Sequence, residues 1–179
     1  MFRLKLLVVL FVIIFFAFDI YALEYLYILD DKCIEELYLL GKSNLLGEEI
    51  KVIKDSRGII LRLEFENSME EIVSLSSQTV KALSEIKYFL AKIENPVIIE
   101  VHTRLSDCEN VRNLKNWEVS TVIANKIEEY FTKSYGRIEQ NRINSVGYGE
   151  FLPAKNTSNN GGKFVNRVDI MVLCSINGE

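Results

Sequence analysis

The sequence predicts an α/β domain of the α+β kind, with the element order β-α-β-α-β-β and a long polar loop before the last strand. Three observations carry this reading. Short apolar runs of strand character recur around residues 59–65, 97–103, 143–148 and 165–174. Between the first three, two longer runs space their apolar residues at the helical period, over 76–94 and from 116 onward. Turn and stop chemistry falls at the joints: Asp55-Ser56-Arg57-Gly58, Asn95-Pro96 and Gly136. A length of 179 residues and a hydrophobic share of 49% suffice for one packed domain with a small appendage.

Residues 1–22 read as a targeting segment. Arg3 and Lys5 precede thirteen unbroken apolar residues, 6–18, and Asp19 ends the run. As a helix that run rises only ~20 Å, short of the ~30 Å hydrocarbon core. It therefore reads as a signal-peptide core with cleavage after Ala22, or as an uncleaved anchor that is the chain's only membrane contact. Ile20 is large for the small-residue rule at such a site, and Cys33 lies too far on for lipid attachment. Residues 23–48 form a leader or linker. Leu23, Tyr25, Tyr27 and Leu29 alternate like a short strand, and Ile34, Leu37 and Leu40 space like a short helix ending at Gly41.

The main domain is expected over 49–174, with 175–179 as a tail. It opens with a hairpin over 49–65, whose second arm points Ile59, Leu61, Leu63 and Phe65 to one face and Ile60, Arg62 and Glu64 to the other. A helix over 76–94 follows, capped by Ser76 or Ser77 and stopped by Asn95-Pro96, with Val80, Leu83, Ile86, Phe89, Leu90 and Ile93 as its apolar stripe. The strand at 97–103 completes a strand–helix–strand unit. Asn116 can cap the second helix, and Glu118 sits in its first turn, where the dipole favours an acid. Val119, Val122, Ile123, Ile127, Tyr130 and Phe131 are its expected buried stripe. A strand at 143–148, a polar loop over 149–163 and a strand at 165–174 close the domain. That last strand points Val168, Ile170, Val172 and Cys174 one way and Arg167, Asp169, Met171 and Leu173 the other.

Four motifs occur in order: Val101-His102-Thr103-Arg104; Asn116-Trp117-Glu118-Val119-Ser120-Thr121-Val122-Ile123-Ala124; Gly147-Tyr148-Gly149-Glu150 with Pro153; and Asn166-Arg167-Val168-Asp169-Ile170. Together they resemble the OmpA/MotB-like peptidoglycan-binding domain, over about residues 49–174. The resemblance implies a small mixed sheet with helices packed on one face. It also implies a non-covalent ligand, the peptide stem of peptidoglycan, whose diamino acid presents a carboxylate and an ammonium. Such a ligand needs an acid for the ammonium and an Arg fork for the carboxylate. The family takes the acid from the residue after Thr and the Arg from the second helix. Here those positions hold Arg104 and Ile123. Asp107 can supply the missing acid, and Arg104 can take the carboxylate with the polarity reversed. The residues expected at the ligand are thus Thr103, Arg104, Asp107, Asn116 and Arg167. Two of these, and Trp117, also have a plainer role: Thr103 ties down the loop, Arg167 pairs with the neighbours of Asp169 or with Glu100, and Trp117 packs beneath the loop.

Composition excludes several classes. The net charge is −4, and removal of residues 1–22 takes away Arg3, Lys5 and Asp19, leaving about −5. An acidic chain without a basic stripe is no nucleic-acid partner. No nucleophile stands in a supporting motif, so no enzyme is expected, and no cofactor is implied. His102 is the sole histidine, so no metal set is legible and a structural or rim role is expected. Cys33, Cys108 and Cys174 admit at most one internal disulfide or three free thiols.

The functional expectation is an exported protein of the periplasm or cell envelope that binds peptidoglycan through a rewired site. The alternative is a degenerate module, without cell-wall binding, that serves as a partner of envelope or flagellar-motor proteins. A motor stator fits less well, because the apolar run at 6–18 is short and Asp19 stands at its end.

Overall fold

A computed structural model describes residues 31–65, 76–103, 115–133, 138–151 and 166–174. Five strands form one mixed sheet: β1 (Ile50–Asp55), β2 (Gly58–Phe65), β3 (Val97–His102), β4 (Ile143–Gly149) and β5 (Asn166–Leu173). Three helices accompany them: α1 over 31–44, α2 (Ser77–Leu90) and α3 (Asn116–Thr132). The strand order is β1-β2-β5-β3-β4. β3 and β4 run parallel, joined through α3, and the other neighbours run antiparallel. The expected β-α-β-α-β-β domain, with a mixed sheet and helices on one face, is therefore present. The strand–helix–strand unit of β2, α2 and β3 is opened by β5, which lies between its two strands.

Alternation along the strands decides which face carries the core. Ile59, Leu61 and Leu63, Val97, Ile99 and Val101, and Val168, Ile170 and Val172 share one cluster with Leu83, Ile86 and Phe89 of α2 and Ile123, Ile127 and Phe131 of α3. Burying such side chains contributes roughly 1.5–3 kcal/mol each. The β1–β2 turn is closed by Asp55, whose Oδ1 accepts from the Arg57 amide at 3.1 Å and Arg57 Nε at 3.0 Å.

Helix ends follow local chemistry, with shifts from expectation. Ser76 caps α2, accepting from the Thr79 amide at 3.2 Å. The helix stops at Leu90, four residues before the expected end at Glu94. Pro96 explains this: the chain must be extended there for the Pro96 carbonyl to accept from Leu173 N at 2.9 Å. The cap of α3 is Lys115 rather than Asn116, and the Glu118 carboxylate closes back on the Lys115 amide at 2.6 Å. Lys87 of α2 donates to the Tyr130 and Lys133 carbonyls at 3.0 and 2.8 Å. A cation there complements the C-terminal dipole of α3, while burial pushes the Lys87 ammonium below the ordinary lysine range.

Two apolar stripes need correction. Val122 of α3 is 44% exposed, and Ser120 and Ala124 are buried instead, because α3 lies close on β4. Helix α1 runs through Gly41 to residue 44, and Leu40 faces outward. Gly41 packs on the sheet instead: a Cβ there would lie 3.2 Å from Val52 Cγ1, so Val52 would have to give way slightly to any larger residue. Leu37 and Leu45 thereby join the main core. Cys33 of α1 is bonded to Cys174 just after β5, 141 residues away in sequence, which settles the cysteine pairing. No helix among the described residues is long and apolar enough to cross a membrane. The strand-like alternation at 23–29, the end at Gly136 and Cys108 lie outside the described residues.

Candidate functional site

The end of β3, the start of α3 and the end of β4 meet at Thr103, a fully buried residue. Its amide donates to the Gly149 carbonyl at 2.9 Å, and its Oγ1 donates to the Asn116 carbonyl at 3.1 Å. Ser120 ties the other two sides: its Oγ donates to the Trp117 carbonyl and accepts from the Gly149 amide, each at 2.9 Å. Sequence inspection saw Ser120 only as part of a run, since its second partner stands 29 residues downstream.

Glycine makes this junction possible. A Cβ on Gly147 would lie 2.2 Å from the Thr121 amide nitrogen and 2.5 Å from the Ser120 carbonyl carbon. Backbone cannot yield as a flexible side chain can, so α3 seats on β4 only over glycine. Gly149 has a φ of +56°, in the left-handed region, and its Cβ would lie 2.8 Å from the Trp117 amide. Gly147→Ala is expected to cost about 1–3 kcal/mol, read as a lower thermal midpoint. An unchanged midpoint would mean that α3 does not sit on β4 as described.

A charged network fills the face of the sheet turned away from the helices. Arg62, Asp169 and Glu100 form one cross-strand row, and Glu64, Arg167 and His102 the next. Arg62 grips Asp169 with two bonds, Nε to Oδ1 at 2.6 Å and Nη2 to Oδ2 at 2.9 Å, and Arg167 Nε adds a third at 2.9 Å. The His102 ring stacks on Tyr148 with centroids 5.1 Å apart, and its Nδ1 lies 3.3 Å from the Phe151 carbonyl.

Of the residues expected at a ligand, Thr103 and Asn116 come together in the junction. Arg167 is 5% exposed and paired with Asp169 itself rather than with Glu100 or the neighbours of Asp169. Arg104 and Asp107 lie outside the described residues. Ile123 is fully buried among core side chains rather than standing at a rim. Trp117 is 49% exposed beside Gly149.

No protein-family model matches the chain. It is 28% identical over 147 residues to the uncharacterized protein YtxE of Bacillus subtilis strain 168, a match covering 79% of this chain and 59% of that protein. The chain thus spans less than two thirds of that relative. Among solved structures it resembles a MotB-like protein from Desulfovibrio vulgaris, at 23% identity and a TM-score of 0.62 over 80% of this chain and 94% of that one. The cell wall anchor of the T6SS from Pseudomonas aeruginosa aligns at 18% identity and a TM-score of 0.60, over 78% and 97%. The periplasmic domain of Helicobacter pylori MotB aligns at 21% identity and 0.56, over 74% and 84%. At such identities the likeness is one of fold. These neighbours show that the chain has the OmpA/MotB-like fold, of which it is a divergent member.

Proposed function

We propose that the chain is an exported cell-envelope protein whose OmpA-like module binds peptidoglycan non-covalently through a rewired ionic site. The observation that carries this reading is the junction at Thr103, where the hydrogen bonds of Thr103 and Ser120 hold the end of β3 against the start of α3. Arg104 follows Thr103 directly, and Asp107 stands three residues further on. In this reading Arg104 takes the carboxylate of the stem's diamino acid and Asp107 its ammonium. Asn116 lines the helix side, and Arg167 steadies the strand through Asp169. Export is supported by the signal-like residues 1–22 and by the Cys33–Cys174 disulfide, since such bonds persist in oxidising compartments. The module acts by binding and carries out no reaction.

The test is sedimentation of the chain from residue 23 onward with insoluble peptidoglycan of the source organism. The natural sequence is expected to pellet with the wall. Losing a charge-assisted bond costs about 1.5–3 kcal/mol, so Arg104→Ala or Asp107→Ala should weaken retention by about tenfold or more. Failure of the natural chain to sediment overturns the reading.

One observation favours a second reading. Ile123, at the position where the family presents its Arg, is fully buried. An aliphatic side chain sealed into the core cannot recognise a carboxylate. A module that has given up the wall, and docks on envelope or flagellar-motor proteins, is then the conclusion that the failed sedimentation selects.

A further inference from the structure

We infer that Glu100, His102 and Asp169 form a binding site for one divalent transition-metal ion, on the sheet face opposite the helices. The proposal is independent of peptidoglycan binding. The three side chains offer one nitrogen and two carboxylate oxygens, all within 4.8 Å of one another. They come from adjacent strands: His102 and Glu100 lie two residues apart on β3, on the same face, and Asp169 of β5 pairs with Glu100.

The decisive feature is His102 Nε2. The side chain is 1% exposed, and Nε2 is buried with no hydrogen-bond partner. An orphaned buried polar atom is costly and calls for an explanation. This one points at the two acids: Glu100 Oε2 is 3.8 Å away and Asp169 Oδ2 4.0 Å. Both distances are too long for direct hydrogen bonds and right for a small ion between the groups. With bonds of about 2.1 Å, tetrahedral donors stand about 3.4 Å apart, so the two histidine distances must close by about half an ångström and the acid oxygens, within 4.8 Å of one another, by up to about 1.4 Å.

The surroundings fix the tautomer that a ligand needs. The bond available to Nδ1 is to the Phe151 carbonyl, at 3.3 Å, which places the ring proton on Nδ1 and leaves a lone pair on Nε2. A metal-bound histidine is normally oriented in this way, by a carbonyl or carboxylate on its other nitrogen. Stacking on Tyr148 holds the ring plane. Asp169 is oriented by Arg62 and Arg167. Among the described residues no hydrogen-bond donor is placed on the Glu100 carboxylate, whose side chain is 13% exposed, so it is the principal free anionic donor. One nitrogen with two carboxylates suits zinc or cobalt better than magnesium, which prefers all-oxygen sets. Because two guanidiniums share Asp169, the expected affinity is on the order of micromolar, a regime of about −8 kcal/mol that is weaker than Cys-rich structural zinc.

The experiment uses the full chain in detergent, carrying Cys108→Ser so that a thiolate does not compete, and stripped with a chelator. Zn2+ at a hundredfold excess over Kd should raise the melting midpoint by about 5 °C or more. Co2+ should give visible d–d absorption that saturates at about one equivalent. Glu100→Gln, close in shape to the natural residue, should weaken both responses at least about tenfold while circular dichroism stays native, and Mg2+ should produce neither. The proposal is overturned if Zn2+ and Co2+ have no effect up to millimolar concentration, if Mg2+ acts equally, or if Glu100→Gln binds as tightly as its parent.

Discussion

Replacing Asp169 with Ala should lower stability by about 3–5 kcal/mol, the range for breaking a buried ion pair from one side. The carboxylate is 4% exposed and holds both Arg62 and Arg167. Its removal leaves two guanidiniums without their common anion, in a place where water reaches poorly. Arginine cannot shed its charge to escape, so losing this anion carries a desolvation cost. Asp169→Asn keeps an acceptor oxygen and should lose less. The control is the exposed pair of Lys32 and Glu36 on α1. There Glu36→Ala should cost no more than about 1 kcal/mol, because solvent already screens the pair. Urea unfolding in the presence of chelator measures all three. If Asp169→Ala costs no more than the surface control, the buried network contributes nothing beyond its packing.

Breaking the Cys33–Cys174 bond should be of similar size. The bond closes a loop of 141 residues in sequence separation. Chain-entropy reasoning for a loop of that length gives about 5 kcal/mol, and native disulfides typically measure about 2–5. The loss acts first where α1 meets the sheet, since Cys33 lies one turn before Leu37, which α1 contributes to the core. The comparison is between the oxidised chain and a Cys33→Ser, Cys174→Ser double variant, both carrying Cys108→Ser to prevent reshuffling. Denaturation midpoints that coincide would remove the disulfide from any account of how α1 is held.

Elements with strong periodicity were legible before any coordinates. The hairpin turn Asp55-Ser56-Arg57-Gly58 and the cap at Ser76 act through neighbours a few residues away, so their chemistry is written locally. The order of the elements followed from them. Less legible was anything set by a distant partner. Helical spacing put both Val122 and Ile123 in the buried stripe of α3, but it could not tell that glycine in β4 draws Ser120 inward and turns Val122 out. Gly41 looked like a helix end because glycine often is one; its packing against Val52 depends on where β1 lies.

The site divides along the same line. Thr103 and Asn116 come from separate motifs, and the fold brings the Thr103 hydroxyl to the Asn116 backbone carbonyl. Arg167 lies in the sheet beside Asp169. A lone histidine gave no reason to look for a metal, because the two acids facing it come from positions 2 and 67 residues away. By itself the sequence determined the strand and helix sequence, the turns and the fold family, all properties of periodicity and short-range steric preference. Only the tertiary structure decided the order β1-β2-β5-β3-β4, which inserts the last strand at the centre. That insertion buries both faces of β5 and so turns an alternating polar strand into the buried anchor of a charged network. Pairing between strands is set by the summed burial of all of them, and no stretch of the chain contains that sum.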